Sequence, residues 1–151
     1  MPAAIVLGQS LVMTLGVHFG LGVPLPHPVL FVLLAATGSL TFLSLVMLLV
    51  RNLGDAGKGA AVLLLILQIS SAGGAFPIEL SHPFFQALHP LLPFTHLMKA
   101  LRAVLFGAYG GHWAVHYLWL VATALTALGL ALVLGRWKYV PEERYAPALD
   151  V

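Results

Sequence analysis

The chain has no cysteine. Disulfides, thiol nucleophiles and thiolate metal sites are therefore excluded, and the redox compartment stays open. Charge is almost as scarce. Asp, Glu, Lys and Arg make up 8% of the 151 residues, against roughly 25% in an ordinary soluble domain. A soluble globule of this size requires far more polar surface than that. The Lys and Arg residues are scattered rather than clustered, so the formal charge of +2 points to no nucleic-acid partner. A Walker-type phosphate loop, a nucleophile elbow and an HExxH helix are all missing. The chain is accordingly expected not to hydrolyse ATP by itself and not to be an enzyme, with no cofactor and no metal. The N-terminal MPAAIVLGQS also lacks the basic n-region of a secretory signal peptide and reads as a retained helix.

What the chain has instead is apolar sequence: 60% hydrophobic residues and a mean hydropathy of +0.99. The expected class is an all-α integral membrane protein with about four transmembrane helices and a re-entrant or interfacial helical hairpin before the last. The transmembrane domain covers residues 1–136, and 137–151 form a short polar tail. The first span runs from about residue 3 to 23, with Gly16 and Gly20 spaced for close helix approach. Pro24, Pro26 and Pro28 make a turn. The second span, about 28–50, contains Thr37, Gly38, Ser39, Thr41 and Ser44, a cluster of the kind that marks helix–helix contact. Residues 51–58 read as a polar loop, with Asp55 and Lys58 a solvated pair.

The third span, about 59–77, changes character at Gln68, Ser70, Ser71, Gly73 and Gly74. Glycines and prolines free backbone groups that lipid cannot satisfy, so this stretch is expected to face protein or a wet cavity. These five residues are candidates for a substrate path; interhelical hydrogen bonding is the alternative. Residues 80–111 do not read as another span. Pro83, Pro90 and Pro93 interrupt them, with Ser81 and Thr95 placed to cap two short helices. Leu97, Met98, Leu101, Val104 and Leu105 share one face of the second, and His96, Lys99 and Arg102 another. At a bilayer centre the two cations would cost about 2.5–3.5 kcal/mol each, so a hairpin at the interface is favoured. Pro77, Glu79, Pro90, Pro93, Lys99 and Arg102 are its candidate functional positions. Lys99 and Arg102 either contact lipid phosphate or an anionic substrate, or form a solvated polar face. The last span, about 113–135, carries Trp113, Tyr117 and Trp119 at one end and Trp137 and Tyr139 at the other, as interfacial belts do.

Basic residues set the orientation. With the N-terminus inside, Arg51, Lys58, Arg136, Lys138 and Arg144 are cytoplasmic, so both termini are expected there, in a multi-pass protein of the cell membrane. His82, His89 and His96 recur every seven residues, and His112 and His116 lie four apart. Prolines break the first series, and interfacial histidine needs no ligand, so no metal is assigned; a histidine-metal membrane enzyme is the weakest of three readings. Gln68, Ser70, Ser71 and the hydroxyls of the second span are expected to need polar partners. Self-association or a missing N-terminal half would supply them, alongside membrane lipid.

The region from Gly54 to Gly111 carries a more specific signal. Gly54-Asp55-Ala56-Gly57, the polar break from Gln68 to Gly74, Phe76-Pro77, Phe84-Phe85-Gln86-Ala87, His89-Pro90, Leu92-Pro93-Phe94-Thr95 and Ala100-Leu101-Arg102 together resemble the C-terminal membrane region of the YhgE/Pip (phage infection protein) family. That family lies within the superfamily of type-2 ABC exporter membrane domains. The resemblance implies a six-helix unit whose fifth helix is followed by a re-entrant extracytoplasmic hairpin, with this sequence supplying helices three to six. The first helix and large extracytoplasmic region of the family have no counterpart here, and His96 stands where tyrosine is expected. The implied function is the C-terminal membrane part of an ABC-exporter-like permease of unknown substrate, driven by a separate ATPase subunit. The alternative is a non-transporting envelope protein that serves as a phage or secretion-apparatus docking scaffold.

Overall fold

Residues 2–73, 77–108 and 112–134 are described by the computed structural model, and every regular element among them is helical. α1 (Pro2–Leu15) widens into a π-helical turn, Gly16–Gly20. That turn carries Gly16 and Gly20 to the exposed side, where a Cβ would meet nothing within 4 Å. The close approach expected at these glycines is therefore not made there. α1 packs on α2 instead through a face on which Ser10 and Thr14 are buried. Their hydroxyls donate to carbonyls one turn back.

α2 (Pro28–Leu53) begins with proline at its first position, where the missing N–H is not needed. It runs beyond the expected end at Val50. The polar loop expected over 51–58 shrinks to one residue, Gly54, because α3 (Asp55–Ser71) starts at once. Two glycines permit this. Gly54 takes φ +61 and ψ −128, open in practice only to glycine. At Gly57 a Cβ would lie 2.2 Å from the Leu49 carbonyl oxygen, so a bare backbone is required where α3 crosses α2. Lys58 reaches Asp55 at 2.7 Å, exposed, on the first turn of α3. The hydrogen bond from Lys58, and then its charge, holds the Asp55 carboxyl below its ordinary pKa.

α3 begins and ends earlier than the expected 59–77, since Gly73 at φ +63 turns the chain away. A 3-10 turn (Ile78–Leu80), α4 (Pro83–Leu88), a second 3-10 turn (His89–Leu91) and α5 (Pro93–Phe106) follow. The caps differ from expectation. Ser81 is extended, and it is the His82 ring that accepts from the Phe84 N–H. α5 starts at Pro93 rather than at a Thr95 cap, and Thr95 is buried inside its first turn. In both cases the proline at the first helical position fixes the start. α6 (Trp113–Leu134) closes the described bundle.

α2 is the centre and packs against α1, α3, α5 and α6. Leu34, Ala100 and Val104 form the core, flanked by Leu30, Leu101, Trp113 and Tyr117. Trp113 and Tyr117 therefore turn inward rather than only lining an interface. The small and hydroxyl residues of α2 do mark helix contacts. Gly38 sits under Leu97 of α5, where a Cβ would fall 2.6 Å from its side chain. Thr41 donates to Leu120 of α6 at 3.2 Å as well as to Thr37. Thr37 and Ser44 bond carbonyls one turn back, so these hydroxyls do not need outside partners as expected. Leu34 near Trp113 and Thr41 near Leu120 make α2 and α6 parallel. α3 runs against α2, so α3 ends where α6 begins.

The exterior is apolar: Ile5, Val12, Phe19, Val62, Leu63, Ile66, Leu132 and Val133 are all exposed. Exposure on this scale suits lipid rather than water. Pro28–Leu53 and Trp113–Leu134 are long and apolar enough to cross a membrane, and Ala4–Gly20 is a shorter apolar helix.

Candidate functional site at the end of the third helix

A helix end leaves its last carbonyls without intrahelical donors, and the partial negative charge there favours cations. The end of α3 is met by two side chains from the α4–α5 segment. The His89 ring, through Nδ1, bonds the Ser71 carbonyl, and the Thr95 hydroxyl lies 3.4 Å from the same nitrogen. Arg102 donates from Nη2 to the Gly73 carbonyl at 2.8 Å. An imidazole and a guanidinium thus seal the break that the sequence marks with glycines. Arg102 is accordingly more than a solvated cation.

Two polar side chains of the last turn and a half of α3 are buried near this seal. Gln68 and Ser71 are 1% and 0% exposed, and Gln68 Oε1 and Ser71 Oγ meet no hydrogen-bond partner among the described residues. Each buried unsatisfied group costs about 1–3 kcal/mol. Gln68 also borders an otherwise apolar cavity of about 250 Å³ between α2 and α3, with Phe42, Leu45, Val46, Ala61 and Leu65. A wider cavity of about 490 Å³ lies by the end of α5, among Pro26, His27, Leu30, Val104 and Trp113.

Of the five path candidates, the fold gathers Gln68, Ser71 and Gly73 at one place. Ser70 is exposed, and Gly74 lies outside the described residues. The hairpin candidates are dispersed. Pro77 and Glu79 are exposed, and the Glu79 carbonyl accepts from Gln86. Pro90 offers its carbonyl to His96, Pro93 is buried at the start of α5, and Lys99 is half-buried. The tail from 137 onward, with Trp137 and Tyr139, is outside the described residues.

Sequence reasoning passed over His89 and Thr95 as site residues. The seven-residue spacing of His82, His89 and His96 was visible, but the three do separate things. His82 caps α4, His89 seals α3, and His96 pairs with His116. No group of three or more His, Asp or Glu suited to a metal gathers among the described residues.

A helical bundle with an apolar exterior, a sealed helix break and orphaned buried amide and hydroxyl groups is the architecture of a membrane protein with an internal polar feature. A family model described as "ABC-2 family transporter protein" matches residues 3–133. The chain belongs to this family of ABC-2 transporter membrane proteins. It is 33% identical over 126 residues to the uncharacterized protein YhgE of Bacillus subtilis (strain 168). That match takes in 83% of this chain and 15% of the relative, so the chain spans a small part of the relative's length. No solved structure matches.

Proposed function

We propose that this chain is membrane machinery of an ABC-exporter-like permease, working with a separate ATPase subunit in the cell membrane. In this reading it crosses the bilayer four times, through α1, α2, α3 and α6, with both termini cytoplasmic. The α4–α5 segment is a hairpin that enters and leaves on the extracytoplasmic side. Support for the hairpin comes from the parallel course of α2 and α6, which brings the end of α3 and the start of α6 to one end of the bundle.

The observation that carries the reading is the polar seal at the end of α3, beside buried Gln68 Oε1 and Ser71 Oγ that meet no partner among the described residues. A membrane protein keeps such groups where they line a path or contact ligand. The path runs past Gln68, Ser71 and Gly73, with Ser70 and Gly74 as flanking candidates. It opens when His89 and Arg102 leave the α3 carbonyls. Lys99 and Arg102 then meet an anionic group.

Copurification from the native membrane tests the function. An ATPase retained in stoichiometric amount supports it, and a preparation that never holds one favours a docking scaffold. Impermeant labelling tests the hairpin in this cysteine-free chain. Leu80→Cys and His112→Cys are both expected to react from outside; reaction from opposite sides would make the segment a fifth span.

A further inference from the structure

α5 and α6 meet at a pair of imidazoles. His96 in the first turn of α5 and His116 in the first turn of α6 approach with their Nδ1 atoms 3.1 Å apart. The other His96 nitrogen, Nε2, lies 3.0 Å from the carbonyl oxygen of Pro90. The His96 ring stacks on Trp119, with 4.3 Å between centroids and 12° between planes. Both rings are half-buried.

These contacts fix where protons stand. A carbonyl oxygen only accepts, so His96 carries its hydrogen on Nε2. One proton stands between the two Nδ1 atoms, because one must donate and the other accept. With His96 neutral, its bare Nδ1 accepts from His116. One added proton is accommodated, since a charged His96 donates from both nitrogens and His116 then accepts. A second proton is not. N–H would face N–H, and two cations would sit 3.1 Å apart with no acceptor between them.

We propose that His96 and His116 form a proton-operated latch, which holds the start of α5 against α6 until both rings are charged and then releases it.

The neighbouring charges act in one direction. Burial disfavours a charged His96 most, the Pro90 carbonyl opposes this, and Lys99 on the next turn of α5 and His89 from the turn before it add to the burial effect. Arg102 is further along α5, at the Gly73 carbonyl. His112 precedes α6 and is exposed, as are Glu79 and His82 earlier in the segment. α2 and α3 also pack against α5; Arg51, Asp55 and Lys58 lie near their shared turn at the other end, while His27 at the start of α2 lines a cavity with Trp113, and Tyr117 follows His116 on α6. The released pair binds more protons than the latched pair, so acid favours release. A free imidazole titrates near pH 6.5. The latch is therefore complete above about pH 6.5 and is lost in acid, once the second proton puts N–H against N–H.

The test is a distance, measured on the full chain in lipid nanodiscs and needing neither substrate nor ATPase. Spin labels are placed at Leu91→Cys and Leu118→Cys, both exposed positions beside the latch. Between pH 8 and pH 5 the distance distribution is expected to shift to longer values, with a midpoint below that of a free imidazole, about pH 6.5. His116→Asn keeps a polar atom near the Nδ1 position without titrating, and is expected to hold the pH 8 distribution throughout. His96→Asn serves as the second non-titrating variant should the first not fold. No shift in the unmodified pair overturns the latch, and so does an equal shift in the Asn variants, which would assign the acid response to other groups.

Discussion

Replacing Arg102 with Met tests whether the seal over α3 is held by charge or by packing. The Arg→Met change keeps much of the apolar stem and removes the guanidinium that donates to the Gly73 carbonyl at 2.8 Å. A hydrogen bond from a charged donor contributes about 1.5–3 kcal/mol. Part of that reflects the negative end of α3, worth about 0.3–1 kcal/mol to a nearby cation. A loss of about 2 kcal/mol is therefore expected, most of it local to the junction between α3 and α5. Amide hydrogen exchange separates local from global loss. Protection around 68–73 and 89–102 should fall about 30-fold, since each 1.4 kcal/mol is a factor of ten. Protection in α2 and α6 should hold, because their mutual packing through Leu34 and Thr41 is untouched. Arg102→Lys should recover part of the effect, as a point charge without the fixed fork. Unchanged exchange at the junction in Arg102→Met would show that packing alone holds the segment in place. Equal loss of protection in every helix would refute the local seal.

Gln68→Met removes a buried amide whose Oε1 meets no partner among the described residues, at similar volume, and is expected to raise the thermal midpoint, by the equivalent of about 1 kcal/mol; a lowered midpoint in detergent would mean the amide has a partner. Gly57→Val drives a side chain into the Leu49 carbonyl and is expected to cost about 3 kcal/mol or more, visible as loss of monodisperse, folded protein, whereas Gly59→Val, which meets nothing, should be tolerated. Asp55→Cys, in the exposed turn between α2 and α3, is expected to resist an impermeant outside reagent and to react only after the membrane is opened; outside labelling would invert the orientation.

Hydropathy made the helices legible and left their ends obscure, for a physical reason. The apolar runs of α2 and α6 need no tertiary context to be recognised, and among the described residues these two helices are long and apolar enough to span. The sequence reads as a loop over 51–58, where the structure has a one-residue turn. Polar residues there suggested water, yet Arg51 and Asp55 both sit at helix ends where the dipole welcomes them. The tight turn depends on Gly57 meeting Leu49, a contact between helices that no local pattern announces. Gly16 and Gly20 show the converse. Their spacing matched a packing motif, but spacing does not say whether a partner helix passes there.

The site was half legible for a related reason. The glycines and polar residues from Gln68 to Gly74 announced a break that something must satisfy, and hydropathy could go no further. What satisfies it comes from residues that looked like a histidine series and a surface cation. His89 and Arg102 reach α3 only because the α4–α5 segment folds back over its end. The choice of polar groups for this contact has a consequence. An apolar seal in a bilayer gains little by closing, since lipid is as apolar as leucine. A hydrogen-bonded seal onto helix carbonyls is directional, and it breaks when either partner finds a competing acceptor or donor. An anionic group reaching Arg102 would be such a competitor, drawing the guanidinium from Gly73 and loosening the end of α3. Ligand and seal would then exclude each other. Binding of an anionic probe should weaken in Arg102→Met while exchange around Gly73 is already raised before any probe is added.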